Sequence, residues 1–457
     1  MWTPKLEKDG GPMYLAIADA IATDVASGRL TAGTKLPPQR SLAQELGVDF
    51  TTVTRAYQEA GRRGLVDGRV GQGTFVKGRA AVQPVPVSPG VVDMSMNLPP
   101  IPEDDSVAQT LWGKLADIHG SGASRLMLRY QEPGGSAQDR AAGIKWLRGR
   151  AGELEVGKLL VAPGAQGALT ATLATLARRG ETVLVEPLTY PGFISLAAHL
   201  GIRLEAVQMD DEGPLPASME QAIQASNPKA FYCTPTLHNP TTTSWSADRR
   251  ARIAQIAGKA GLPIIEDDAY GALPDTPLPS LAAIGAGPVY HVASLSKSLA
   301  PALRIAYLVA PDAGKAARLA GALRGTTAMA SPLTAALATD WIESGLAFDF
   351  LDALRAESRS RQDLVRSLLA GQDLLADPQG FHALLRLPQG WQRGEFIFRL
   401  RNLGVLAVAS DAFAIGSPPE AVRLGLGGPQ SRADLHRSLG MIASLLADQP
   451  AVSSLIV

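Results

Sequence analysis

The 457-residue sequence has one cysteine, Cys233, which excludes an intrachain disulfide framework and any cysteine-rich zinc site. Its six histidines include no HxxxH or HExxH pair, so no metal site is expected. There is no run of eighteen apolar residues, and no membrane-spanning helix is expected. The opening MWTPKLEKDGGP is polar and lacks the apolar core of a secretory signal. Together with a lone thiol that suits a reducing compartment, this predicts a cytoplasmic protein. Net charge is also lacking: 43 Lys and Arg balance 43 Asp and Glu. That excludes binding to nucleic acid through overall basicity, but not a basic patch within one domain. No internal repeat or low-complexity tract stands out. What the chain does have is 46% hydrophobic and 19% charged residues, a composition that builds a large buried core.

The length allows more than one domain. A break is visible in GRAAVQPVPVSPGVV, where Pro84, Pro86 and Pro89 interrupt helical periodicity and predict an extended linker. The expected organisation is a head over 1–78, a linker over 79–96 and a body over 97–457. Residues 1–79 hold eleven Lys and Arg against eight Asp and Glu, a modest positive excess whose sign suits a DNA-binding head.

In the head, Ile17, Ala18, Ile21 and Val25 fall on one face of a helix over 13–27, ended by Gly28. LTAGTKLPPQR then reads as a turn-rich connection. Ser41 is the expected cap of a short second helix, with Gln44 as its capping-box partner, and Gly47 ends it. Thr51 or Thr52 opens a third helix running through Tyr57 and Ala60. Helix, tight turn, helix is helix-turn-helix grammar, and GLVDGRVGQGTFV reads as two short strands around a glycine-rich tip, a wing. Thr51 and Thr52 would offer hydroxyls and free backbone N–H groups to a DNA groove, and Arg40, Arg55, Arg62, Arg63 and Arg69 would neutralise phosphates. A small helical module packed on the body, with solvated arginines, is the alternative on spacing alone.

The stretch from Pro12 to Val76 resembles the winged-helix domain of GntR-type regulators along its whole length. The markers are G-x-L-x-x-G-x-K-L-P-P-x-R, L-A-x-x-L-G-V, T-T-V-x-R-A-Y and G-L-V…G-x-G-T-F-V. The resemblance carries contacts to double-stranded DNA onto Arg40, Thr51, Thr52, Arg55 and the wing tip Gly71, Gly73 and Thr74. It departs at Phe50, where a small polar residue followed by arginine is common, so that one guanine contact would be missing.

In the body, apolar strands expected at Val183–Val185, Phe231–Thr234, Ile264–Ile265, Val289–Ser294 and Arg304–Ala310 alternate with amphipathic stretches such as Asp248–Gly261. Such alternation predicts an α/β domain with a mostly parallel sheet, and ligands at the carboxyl ends of its strands. The polar segments of interest fall at those ends. GAQGAL (164–169) follows a strand-like LLVAP and begins a helix whose N–H groups suit a phosphate. Tyr190 lies in a proline-flanked loop, suited to stacking on a flat ring or simply to packing. Asn239 stands in an Asn-Pro turn. IIEDDAYG runs a buried strand into three acids and Tyr270, which could equally be a solvated strand end. ASLSKSLAPALR sets Lys297 between serines directly after a strand, with Arg304 seven residues on; a lysine of lowered pKa forms a Schiff base with an aldehyde.

In this order the segments resemble the fold-type I pyridoxal-phosphate enzymes, the aspartate aminotransferase superfamily, over about residues 97–430. The resemblance implies a smaller C-terminal α+β subdomain and pyridoxal 5'-phosphate as cofactor. It implies that Lys297 carries the cofactor and that Asp267 pairs with its ring nitrogen. Tyr270 and Asn239 would bond its phenolate oxygen, and Tyr190 would stack on the ring. The Ala165 and Gln166 backbone, Ser294 and Arg304 would hold its phosphate. Tyr130 would reach the phosphate of a neighbouring subunit, which implies a homodimer, and Arg423 would clamp a substrate carboxylate. GAQG departs from a Ser/Thr-rich phosphate cup, and PALR from P-G-L-R, which tests whether a turn glycine is needed.

A GntR-type head joined to an aminotransferase-like body resembles the MocR-type transcriptional regulators. The implied function is a DNA-binding regulator that senses pyridoxal phosphate, or a small amino compound forming an aldimine with it. A working aminotransferase with an accessory winged helix is the alternative, since Lys297 and Arg423 would permit transamination. Structural scaffolding would leave both site patterns without a purpose.

Overall fold

A computed structural model describes residues 2–4, 12–26, 29–30, 33–63, 65–69, 73–76, 90–102, 109–111, 113–114 and 128–448. They belong to two compact units, within Met1–Pro89 and Gly90–Val457. Of the segment expected as linker, 79–89 lies outside the described residues, as do Gly28 and Gly71. Residues 92–93 are not linker: Val92–Asp93 pairs in parallel with Val405–Leu406, and Met94 is fully buried in the body's C-terminal core.

The head comprises α1 (Met13–Ala26), α2 (Gln39–Leu46), α3 (Phe50–Arg62) and the antiparallel strands β1 (Val66–Arg69) and β2 (Gly73–Val76). Ile17, Ile21, Leu42, Val53, Ala56, Tyr57 and Val76 share one core, as the apolar spacing requires. Tyr57 anchors α3 to the proline turn by donating its hydroxyl proton to the Pro37 carbonyl at 2.8 Å. Gly47 ends α2 in the left-handed conformation (φ 66°), as expected of a C-cap glycine. Two expected helix starts are displaced. Helix α2 begins at Gln39, after Pro38, so Ser41 lies inside the first turn and caps nothing. Helix α3 is capped by Asp49, not by a threonine. Its carboxylate takes the backbone N–H of Thr51 at 2.7 Å, so that group is not free for DNA.

The body is built on a seven-stranded sheet. Its strands are β3 (Leu159–Ala162), β4 (Thr182–Val185), β5 (Arg203–Ala206), β6 (Phe231–Cys233), β7 (Ile264–Asp267), β8 (Val289–Ser294) and β9 (Ala306–Val309), in the spatial order β3-β9-β8-β7-β6-β4-β5. Strand β9 runs antiparallel to β3 and β8, and the remaining pairs are parallel. Helices α4 (Gly164–Leu176) and α5 (Pro191–Leu200) follow β3 and β4 and cover one face, packing Leu169, Leu173 and Phe193 on Val183, Val185 and Tyr232. The other core holds Trp146, Tyr270, Leu295, Tyr307 and Trp341. Both faces are thus covered, which accounts for the nearly unbroken apolar runs of β3, β4 and β8. The helix expected over 248–261 is Ala247–Lys259.

The strand limits differ from expectation for local reasons. Strand β6 stops at Cys233 because the Thr234 N–H turns to the Glu186 carboxylate (3.0 Å). Strand β9 begins at Ala306 because Arg304 is left-handed (φ 51°) and closes a short 3-10 turn over Pro301–Leu303. The smaller C-terminal part has an antiparallel sheet, β10 (Leu374–Ala376), β11 (His382–Arg386), β12 (Val408–Ala409) and β13 (Ala421–Gly425), in the order β10-β11-β13-β12. Helices α6 (Leu346–Leu368) and α7 (Arg432–Ala447) pack on it through Val365, Leu435 and Leu439. The α/β fold with its smaller α+β part is therefore present.

Candidate functional site

The site forms at the carboxyl ends of β7 and β8, where the smaller sheet meets the larger one. Strand alternation sorts the three acids of IIEDDAYG. Glu266 and Asp268 fall on one side: Glu266 bonds His291 (3.0 Å) and accepts from the Leu281 and Ala282 N–H groups, and Asp268 is paired with buried Arg150 (2.7 Å). Asp267 falls on the other. All three are buried, so the stretch is not a solvated strand end. Asp267 accepts a hydrogen bond from Tyr232 Oη at 2.8 Å through Oδ2, whereas Oδ1 is buried without a partner. Burial raises the Asp267 carboxyl to about 6, although the Tyr232 hydrogen bond opposes this.

Lys297 lies just beyond β8. Its Nζ donates to the Asn97 carbonyl. Burial lowers its amine to about 8, the nearby Arg423 cation pushes the same way, and Asp267 opposes both. Asn97 also donates from Nδ2 to Tyr270 Oη (2.8 Å), so one residue ties Lys297 to Tyr270. Burial raises the Tyr270 phenol well above its ordinary value and keeps it a neutral donor. Arg423, in the middle of β13, donates to the Ser95 carbonyl, lies 5.5 Å from the Phe413 ring centre and keeps Nε buried without a partner. Burial lowers its guanidinium to about 10. Asn239 is buried, with Oδ1 unpartnered. Its neighbour His238 accepts from His382 Nε2 (3.0 Å), and the His382 ring lies 5.4 Å from that of Tyr270. Burial drives His382 down to about 3, so it stays neutral.

Tyr190 precedes α5, and its phenol is within electrostatic reach of both Asp267 and Arg304. Helix α4 opens at Gly164, Ala165 and Gln166 without any side-chain cap. Gly164 has φ +77°, and a Cβ there would stand 3.1 Å from the Arg304 guanidinium carbon, so arginine and helix start are adjacent. Ser294 ends β8 opposite Ala306. Since the left-handed residue of PALR is Arg304 itself, the turn needs no glycine at 302. The structure thus brings together Lys297, Asp267, Tyr270, Tyr190, Arg304 and Arg423. Tyr130 stands apart, 91% exposed.

Sequence reasoning missed Tyr232 and Asn97. Tyr232 reads as a core residue inside an apolar strand, and its ring does stack on Phe193 (3.7 Å between centres). Asn97 lies in MSMNLPP, which carries no recognisable pattern.

In the head, Arg40, Thr51 and Arg55 are exposed and Thr52 and Thr74 half-buried. Gly73 opens β2. The Arg55 guanidinium rests 4.4 Å from the Tyr14 ring centre. Arg62 and Arg63 are both held by Glu59 (2.8 Å each), and Arg63 also by Asp19, so these two arginines are not free phosphate ligands.

The donor set fits pyridoxal phosphate. A buried amine, an open carboxylate oxygen, buried unpartnered polar atoms on Asn239 and Arg423, and uncapped N–H groups beside an arginine match an aldehyde, a ring nitrogen, a phenolate and a phosphate.

Comparison with known proteins agrees on both units. Residues 13–76 match the model of bacterial regulatory proteins of the gntR family, and residues 89–436 that of aminotransferase class I and II. The chain is 32% identical to the HTH-type transcriptional regulator YdeF of Bacillus subtilis, covering 98% of this chain and 97% of that one. It is 28% identical to the vitamin B6 salvage pathway transcriptional repressor PtsJ of Salmonella typhimurium, over 93% and 97%. It is 25% identical to the probable rhizopine catabolism regulatory protein MocR of Rhizobium meliloti, over 67% of each. Among solved structures, the α-aminoadipate aminotransferase LysN of Thermus thermophilus, complexed with N-(5'-phosphopyridoxyl)-L-leucine, superposes with a TM-score of 0.71 at 24% identity, covering 79% of this chain and 92% of that one. The body is therefore of the kind whose cofactor is pyridoxal phosphate. The chain belongs to the MocR-type transcriptional regulators, in which a GntR-family winged helix is joined to a class I and II aminotransferase domain.

Proposed function

We propose that the protein is a cytoplasmic, homodimeric transcriptional regulator that binds operator DNA through its winged helix. Its body senses pyridoxal phosphate or a small amino compound condensed with it. The observation that carries this reading is the buried Lys297 amine beside the half-satisfied Asp267 carboxylate, in the same chain as a DNA-binding-type head. The relative named as a repressor of vitamin B6 salvage favours an effector of this chemistry.

When bound, pyridoxal phosphate supplies an aldehyde that condenses with amines and a ring that withdraws electrons. Lys297 would hold it covalently; its amine, lowered to about 8, is partly neutral and nucleophilic near neutral pH. Asp267, through its open Oδ1, would hold a proton on the ring nitrogen, with Tyr232 fixing the carboxylate. Tyr270 and Asn239 would bond the phenolate, and Tyr190 would face the ring. Ala165, Gln166, Ser294 and Arg304 would take the phosphate, and Arg423 a carboxylate of the effector. Tyr130 and its neighbour Leu128, both largely exposed, support a subunit partner on that side. Arg40, Thr51, Thr52, Arg55, Gly73 and Thr74 are the residues for DNA.

The test is footprinting of the purified chain on DNA flanking its own gene, with and without the cofactor; no protection in either state would remove the regulatory reading. A second reading, an active aminotransferase, is favoured by the buried Arg423 with its free Nε. Turnover of an amino acid at ordinary enzyme rates would promote it.

A further inference from the structure

One exposed residue of α3 enters the DNA-binding reading so far only as a missing guanine contact. Phe50 is the first residue of the helix, and it is 42% exposed. The helix buries Val53, Ala56, Tyr57 and Ala60, and its other exposed positions are Thr51, Arg55, Gln58, Gly61 and Arg62. By its chemistry, phenylalanine belongs with the buried set. Instead it stands at the leading end of the second helix of a helix-turn-helix, the end whose residues meet base edges in the major groove.

Two observations bear on what Phe50 meets. The Arg40 guanidinium lies 5.8 Å from its ring centre, within cation–π range. Among the described residues Arg40 has no carboxylate partner, whereas Arg62 and Arg63 are neutralised by Glu59. An apolar ring and an uncompensated cation are therefore presented side by side. A phenyl ring neither donates nor accepts a conventional hydrogen bond. The apolar feature that base pairs display in the major groove is the thymine 5-methyl group.

We propose that Phe50 reads a thymine 5-methyl group in the major groove of each half-site, with Arg40 steadying the ring and neutralising a nearby phosphate. This rests on the reading of the chain as a DNA-binding regulator and adds to it one defined A·T pair per half-site. An arginine at this position would be suited to guanine; phenylalanine changes the base that is read and leaves the docking of the helix as it is.

The experiment uses the full-length protein and a pool of random-sequence duplexes. The enriched duplex is remade with deoxyuridine replacing one thymine at a time, which deletes only the methyl group. At one thymine per half-site, deoxyuridine should weaken wild-type binding about fourfold, the worth of one buried methyl-sized group. Phe50→Ala, with an unchanged thermal transition, should bind the thymine and deoxyuridine duplexes equally at that position. Phe50→Arg, put through the same selection, should enrich guanine there. The same loss in wild type and Phe50→Ala at every thymine, or no loss at any, overturns the proposal while leaving DNA binding intact. Continued enrichment of thymine at that position by Phe50→Arg also contradicts it. Failure of the wild-type chain to enrich any sequence overturns the DNA-binding reading, and this proposal with it.

Discussion

Tyr232 Oη holds one oxygen of Asp267 at 2.8 Å and leaves the other buried and unpaired. Half of this carboxylate is anchored in the fold and half is open to a ligand. Without a partner for Oδ1, burial raises the carboxyl to about 6 from an ordinary 3.8. A raised aspartate binds its proton more tightly in the folded state. It therefore costs stability as pH rises from 3.8 through 6, and the cost persists above 6. The shift corresponds to about 3 kcal/mol at most. Thermal unfolding of cofactor-free wild type and Asp267→Asn should diverge over that window, with the variant gaining in relative stability at pH 7. The same variant should bind pyridoxal phosphate about tenfold or more weakly, since a charge-assisted hydrogen bond is lost. Parallel stability curves from pH 4 to 7 would remove Asp267 as the strained group.

Lys297 provides a second pH signature. Its amine, lowered to about 8, is mostly protonated at pH 7 and mostly neutral at pH 9. Covalent attachment of added pyridoxal phosphate, trapped with borohydride and located by mass spectrometry, should speed up with pH to about 8 and then level off. Lys297→Ala should show none. Attachment to another lysine at the wild-type rate would contradict the assignment.

Arg40 is exposed and has no carboxylate partner among the described residues. If it meets a phosphate, Arg40→Ala should weaken DNA binding for all sequences and reduce the logarithmic salt slope by about one. An unchanged slope, measured by fluorescence anisotropy at several salt concentrations, would take Arg40 off the phosphate.

How far the sequence reveals this structure depends on where each signal comes from. Val289–Ser294 is readable to the residue because both faces are covered and all six residues are buried, with only His291 and Ser294 polar. Arg203–Ala206 is not, because it is an edge strand with Arg203 exposed and the other three half-buried, and its composition says little. Helix starts fail where two capping residues compete: Asp49 precedes Thr51 and takes its N–H first. Lys297, Asp267 and Arg304 are visible because each sits in a recognisable run at a strand end. Tyr232 and Asn97 are hidden because their importance lies in a partner that is distant in sequence: Asp267 lies 35 residues from Tyr232, and Tyr270 173 from Asn97.

The state of the Lys297 site is expected to alter DNA binding by the head. A ligand can shift that equilibrium only by its different affinity for two arrangements of the molecule. The direct measurement is the affinity of the selected duplex for cofactor-free protein, cofactor-loaded protein and Lys297→Ala with cofactor present, by anisotropy at fixed salt. The affinity should change about 5–150-fold on loading, with Lys297→Ala remaining at the cofactor-free value. Equal affinities in all three, unchanged when amines are added to the loaded protein, would contradict it.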